Sequence, residues 1–238
     1  MADDPSSRPL KFYKNAVAEP FEDGFAILLD GRAVRTPMRQ RLVLPTRALG
    51  EMVAAEWDAQ VDIVDLPSMA ATRLAFVAAD RIGAHRDETV AEIVNFAASD
   101  LLCYHATAPA SLVERQAVRW GAVLDWARDA LGLTFVLAQG IIHKPQPEAT
   151  LAGVGALAAA ADDFALAGLA MATSLFGSAV LALALWRDQL DGEAVFALSR
   201  LDEAFQEEQW GVDAEAAERT AHRRAEALML DRWFEALR

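Results

Sequence analysis

Residues 24–36 read GFAILLDGRAVRT, two apolar runs separated by Asp30-Gly31. A two-residue hairpin loop that matches the twist of its strands needs positive φ at both central positions, and Asp-Gly is among the few dipeptides that accept it. The stretch therefore predicts a β-hairpin. Strand-like LKFYK (10–14) precedes it and RLVLP (41–45) follows, which gives a small N-terminal sheet. At Thr46 the apolar period changes to that of a helix. Thr46 can cap it, and Leu49, Met52, Val53 and Trp57 share one face of a helix reaching about Gln60.

Beyond this point the pattern is nearly all helical. Helices are predicted over 69–82 and 86–98, then, after the short apolar piece DLLCY (100–104), from Pro109 to Gly132. TFVLA (134–138) reads as a strand and HKPQP (143–147) as an extended connector. Further helices are predicted over 148–161, 163–176, 178–190, 192–209 and 214–237. The expected class is α+β: a small N-terminal β-rich domain, residues 1–65, followed by a larger mainly α-helical domain, residues 66–238.

With 238 residues and 54% hydrophobic content the chain can bury one large core or two modest ones. Its 22 Lys+Arg against 35 Asp+Glu leave a net charge of −13, which repels nucleic acid and anionic membrane surfaces. A single cysteine, Cys103, excludes an internal disulfide framework and fits a reducing compartment. The opening MADDPSSRPL has neither the apolar core of a secretory signal nor an Arg-rich transit pattern. A cytoplasmic bacterial protein is the simplest reading, with a processed protein of the mitochondrial matrix as the other. Phe164–Trp186 carries no charge and is long enough to span a bilayer, but it is rich in Ala, lacks basic anchors, and is interrupted at Gly177-Ser178. Two packed core helices are expected there, with no stable membrane insertion.

The chemistry-bearing residues are dispersed. His85, His105, His143 and His222 lie far apart, so no metal site is expected. No nucleophile elbow, Walker loop or dinucleotide fingerprint is present, and no cofactor is expected. Cys103, in LLCYH, reads as a buried inert thiol. Arg73, within an otherwise apolar helix, is expected to form an internal ion pair, and Arg32, Arg35, Arg39 and Arg41 to lie at the surface.

One decamer stands out: DEAFQEEQWG, residues 202–211. On one helix over 195–210, Leu198, Leu201, Asp202, Phe205 and Gln209 share an arc that meets the core. Glu203, Gln206, Glu207 and Trp210 share a neighbouring arc, and Gly211 ends the helix. Three readings stay open on these residues alone. The acids are a solvated face with Trp210 covering the core edge; or an aromatic rimmed by acids is a protein-binding anchor; or a carboxyl pair near Trp210 serves a soluble hydrolase.

The motifs KFYK (11–14), LDGRAVRTP (29–37), LPT (44–46), AAEW (54–57), TRLA (72–75), DLLCY (100–104), RQAVRW (115–120), LDWA (124–127), GSAVLALA (177–184) and LSRLDEAFQEEQWG (198–211) occur in that order. Together they resemble the assembly chaperone family of the F-type ATP synthase catalytic head, the member that handles the α subunit. The resemblance implies a non-enzymatic protein with a β-rich N-terminal and a helical C-terminal domain; separately, the free protein is expected to be monomeric. The resemblance implies that the chaperone holds the unassembled α subunit, prevents its aggregation, and yields it to the β subunit. It further implies that Glu203, Gln206, Glu208, Trp210 and Gly211 match the family pattern in the segment tied to chaperoning. Glu207 departs from that pattern, where relatives are usually apolar, as do Ala70-Ala71, where relatives tend to carry proline. Partner contact is expected from Glu203, Gln206, Glu207, Trp210 and Gly211, with Glu203, Gln206 and Trp210 as the main contacts and Glu208 facing inward.

Overall fold

The chain turns at Asp30-Gly31 with φ of +46° and +83°, the positive values a tight hairpin demands. In this computed structural model, which describes residues 9–140, 143–211 and 214–238, four strands form one antiparallel sheet. They are β1 (Ala16–Phe21), β2 (Gly24–Leu29), β3 (Arg32–Ala33) and β4 (Val43–Leu44), with β2 pairing the other three. The Asp30 carboxylate accepts the backbone N–H groups of Lys14 and Asn15 at 2.9 and 3.0 Å, which holds it below the usual carboxylate range.

The first strand is not LKFYK, which makes only the isolated bridge Leu10–Ile63. It is AVAEPF, whose Glu19 and Pro20 disguise a strand in the sequence. An edge strand tolerates both, because one side of its backbone has no partner to satisfy.

Helix α1 (Arg47–Asp58) begins where Thr46 Oγ1 accepts the Leu49 N–H at 3.1 Å, and it packs on β1 and β2 through buried Leu49, Val53 and Trp57. Met52, expected on that face, is half-buried. Helix α2 (Ala70–Val77) has no capping side chain of its own. Glu56 of α1 supplies one: it accepts the Ala71 N–H at 2.9 Å and both the N–H and hydroxyl of Thr72 at 2.7 Å. Thr72 is the buried polar residue here. Arg73, one position on and about 100° around the helix, is exposed and has no ion-pair partner among the described residues, contrary to expectation. α2 continues into a π-helical turn, Ala78–Ile82, from which Asp80 accepts the Met38 N–H at 2.9 Å.

Residues 1–85 with 232–238 make one compact unit and residues 86–231 a second. The second contains α3 (Arg86–Ala98), α4 (Ala110–Leu131), α5 (Glu148–Ala159), α6 (Asp163–Phe176), α7 (Ala179–Trp186), α8 (Gly192–Ser199), α9 (Leu201–Trp210) and most of α10 (Ala214–Leu237). A short parallel pair, β5 (Tyr104–His105) and β6 (Ala138–Gln139), uses only the end of the predicted strand 134–138. The uncharged stretch 164–186 forms α6 and α7, separated at Gly177, with Ser178 Oγ accepting the Leu181 N–H at 3.0 Å. Residues 179–185 are all buried in this unit's core, and no described helix is long and apolar enough to cross a membrane.

Asp100 sits wholly inside the second unit. Its carboxylate accepts the Leu102 N–H at 3.0 Å and, at the start of α7, the Val180 N–H at 3.1 Å. Burial pushes its pKa up to about 6 despite those hydrogen bonds. Cys103 is buried beside it, and its thiol is pushed up, first by burial and then by the Asp100 charge.

Candidate functional site

The helix predicted over 192–209 is two helices, α8 and α9, divided at Arg200, whose φ of −116° and ψ of 19° leave the helical region. A tertiary contact sits at the break. In one continuous helix the Leu198 carbonyl would serve the amide of residue 202. Here Trp120 of α4, almost fully buried, donates its indole N–H to that carbonyl at 3.0 Å. The arc arithmetic that ran through Leu198 therefore applies only from Leu201 onward.

α9 is fastened to α4 along its inner side. Leu201 and Phe205 are buried. Gln116, wholly buried, donates to Asp202 Oδ1 at 2.6 Å and accepts the Ala106 N–H at 2.7 Å. Arg115 grips both oxygens of Glu208 at 2.7 and 2.9 Å and lies 5.1 Å from the Phe205 ring centroid. Asp202, Phe205 and Glu208 are thus committed to holding α9 in place. Glu208, expected to face inward, is instead half-exposed, and its tie to the fold comes from the Arg115 pair at the surface. Gln209, expected on the apolar arc, is exposed, because the final turn of α9 has no described element packed over it at that position.

The outward side carries the five candidate residues together. Glu203 and Gln206 are exposed, and Trp210 is 79% exposed. Glu207 is half-buried with its carboxylate 2.6 Å from Arg200. Gly211 stops the helix at φ 82° and ψ 173°, a combination essentially confined to glycine, and its N–H returns to the Glu207 carbonyl at 2.9 Å.

All five line one open groove of about 450 Å³ whose far wall is α10, through Ala216, Arg219, Thr220 and Arg223. One wall is acidic and the other basic. Arg219 pairs with Glu215 at 2.5 Å, and Arg223 donates to the Leu175 carbonyl. Arg224 grips both oxygens of Glu193 at 2.7 and 2.9 Å, which ties α10 to α8 and holds the far wall in position. A ligand of this groove would meet charges of both signs and a large indole surface. The α10 wall and Arg200 were not anticipated. A signal for the wall existed: Ala216, Arg219, Thr220 and Arg223 recur at helical spacing and share one face.

Comparison with known proteins bears on this geometry. The sequence profile described as "ATP12 chaperone protein" matches residues 10–128. The crystal structure of the Atu1473 protein from Agrobacterium tumefaciens superposes with a TM-score of 0.91 at 42% identity, over 97% of this chain and 87% of that one. Atp12 from Paracoccus denitrificans superposes with a TM-score of 0.90 at 36% identity, over 97% of this chain and 99% of that one. A mutant of the Paracoccus protein gives 0.90 at 36%, over 99% and 100% of the two chains. The fold agrees throughout with the expected small β region followed by helices. The chain belongs to the ATP12 family of ATP synthase assembly chaperones.

Proposed function

We propose that this chaperone holds the unassembled α subunit of the ATP synthase catalytic head through the groove between α9 and α10, and performs no bond chemistry. The observation that carries the reading is the division of labour on α9. Asp202, Phe205 and Glu208 are engaged with α4, while Trp210 stands 79% exposed beside exposed Glu203 and Gln206. Leaving a tryptophan in water costs solvation free energy that burial against a partner would recover, and exposed aromatics of this kind dominate protein contacts.

An orphan α subunit exposes the apolar, partly charged surface that would meet its β neighbours, and such surfaces self-associate. A groove offering an indole with mixed charges covers that surface firmly enough to block aggregation. Its open form lets the β subunit compete. The charges speed encounter more than they prolong residence, so release by the β subunit stays accessible. The chaperone acts as a free monomer in the bacterial cytoplasm, or in the mitochondrial matrix for an organellar member.

A hydrolase built on two carboxyls near Trp210 is the competing reading, and the groove does supply concavity. Glu207, however, is engaged by the Arg200 guanidinium at 2.6 Å, so it is not a carboxyl left free to form a pair with Glu203.

The test is the double variant Trp210→Ala with Glu203→Lys. It should keep the native circular dichroism spectrum and lose suppression of α-subunit aggregation in a light-scattering assay. Full suppression by the folded variant would refute the groove as the client site.

A further inference from the structure

The net charge of −13 is distributed unevenly. Residues 86–231 carry 10 Lys+Arg and 22 Asp+Glu, whereas residues 1–85 with 232–238 carry 12 and 13. In that nearly neutral unit, Arg32, Arg35, Arg39 and Arg41 fall within ten residues, and all four are exposed. None of them pairs with a carboxylate among the described residues. Arg35 donates to the Arg39 carbonyl at 2.9 Å, and Arg41 covers the Phe21 ring at 4.0 Å. Guanidinium groups left unneutralised in so acidic a protein are available to an external carboxylate.

Two of these arginines border a groove. Arg32 and Arg35 line an open concavity of about 450 Å³ whose floor includes Leu29, Val34 and Val64. Its rim holds Phe12, 63% exposed, and Leu66, 37% exposed. Two hydrogen-bonded devices described above lie close in the chain to the lining residues. The Asp30 carboxylate ties the β2–β3 turn to Lys14 and Asn15, two and three residues after Phe12. Asp80 ties Met38, three residues beyond Arg35. The groove is concave, and concavity suits an inserted peptide better than a flat bilayer surface.

We propose that this groove is a second binding site, which takes an extended peptide segment of alternating apolar and acidic residues. Its apolar side chains rest among Phe12, Val34 and Leu66, and its carboxylates meet Arg32 and Arg35. In an extended segment successive side chains point to opposite sides. Apolar residues can therefore face the floor while acids project along the arginine-bearing rim. The site shares no residue with the α9–α10 groove and stands whether or not that groove holds the client.

The probe is a fluorescein-labelled peptide of alternating leucine and aspartate, about eight residues long, titrated by anisotropy against the full chain. It should bind saturably. Binding should weaken at least about tenfold in Arg32→Glu with Arg35→Glu, and weaken on Phe12→Ser. High salt should also weaken it. Trp210→Ala should leave it unchanged, which separates failure of this site from failure of the other. A leucine and lysine peptide should not bind. Unchanged affinity in the charge-reversed variant, or equal binding of the lysine peptide, overturns the proposal. So does arginine-dependent adsorption of the protein to phosphatidylglycerol vesicles without peptide binding, which would make the face a membrane contact. Self-association abolished by Phe12→Ser would assign the groove to a second copy and overturn it equally.

Discussion

Two sets of polar side chains in the second unit differ. One set is anchored by named partners: buried Asp100 caps the start of α7, buried Gln116 bridges Ala106 and Asp202, and half-exposed Glu208 answers Arg115. On the outward ridge of α9, Glu203, Gln206 and Trp210 stand exposed with no such assignment. A buried polar group without a partner costs folding free energy, so inward groups are explained by the fold itself. The outward ones carry no such structural duty, and under the proposed function they meet the client.

The contrast breaks if the two populations respond alike to substitution. The largest expected effect is from Trp120→Ala, which empties a buried site and removes the indole hydrogen bond to the Leu198 carbonyl. It should cost about 3–5 kcal/mol in urea unfolding. Next comes Asp100. Its folded pKa of about 6 lies above the ordinary aspartate value, so between about pH 4 and pH 6 the folded protein keeps a proton that the unfolded chain releases. This group's contribution to stability is therefore fully present below the unfolded pKa and lost as pH rises through the folded one. The loss is about 3 kcal/mol at most. The difference in melting temperature between wild type and Asp100→Asn, followed from pH 4 to pH 7.5, should change across that window and be flat above it.

Gln116→Ala should cost about 1–3 kcal/mol, because it strands the Ala106 N–H and frees α9 from α4. Its effect on client binding should follow its effect on folding. The half-exposed Arg115–Glu208 pair is weaker: the double replacement by alanine should cost about 1 kcal/mol or less, with the loss shrinking in salt. Smallest of all in stability is Trp210→Ala, expected within about 0.5 kcal/mol of wild type. In binding the order reverses, and this variant should weaken the client complex by about 2 kcal/mol or more. A plot of binding loss against stability loss would separate the two populations.

What could be read in the sequence was whatever local chemistry dictates. Asp30-Gly31, the Thr46 cap, the helix from Pro109 to Gly132 and the interruption at Gly177-Ser178 all occur as expected, because each depends on a few adjacent residues. What escaped depends on remote partners. Nothing near Leu198 announces that Trp120, 78 positions away, bonds its carbonyl where α8 gives way to α9. Glu56 caps α2 from α1, and that pairing explains two quoted motifs, AAEW and TRLA, that neighbouring residues cannot. Helical spacing groups four of the five candidates, Glu203, Gln206, Glu207 and Trp210, and Gly211 follows as the helix end, but the groove they line was half-visible, since its basic wall comes from α10.

The central claim is that the outward ridge of α9 touches the client. A photo-reactive phenylalanine analogue placed at Gln206, with a second placed at the exposed Val118 of α4 as a control, tests it directly. Irradiation with purified α subunit should give an adduct from position 206 and none from 118, and prior addition of β subunit should abolish it. Equal adducts from both positions, or an adduct from 118 alone, would contradict the account.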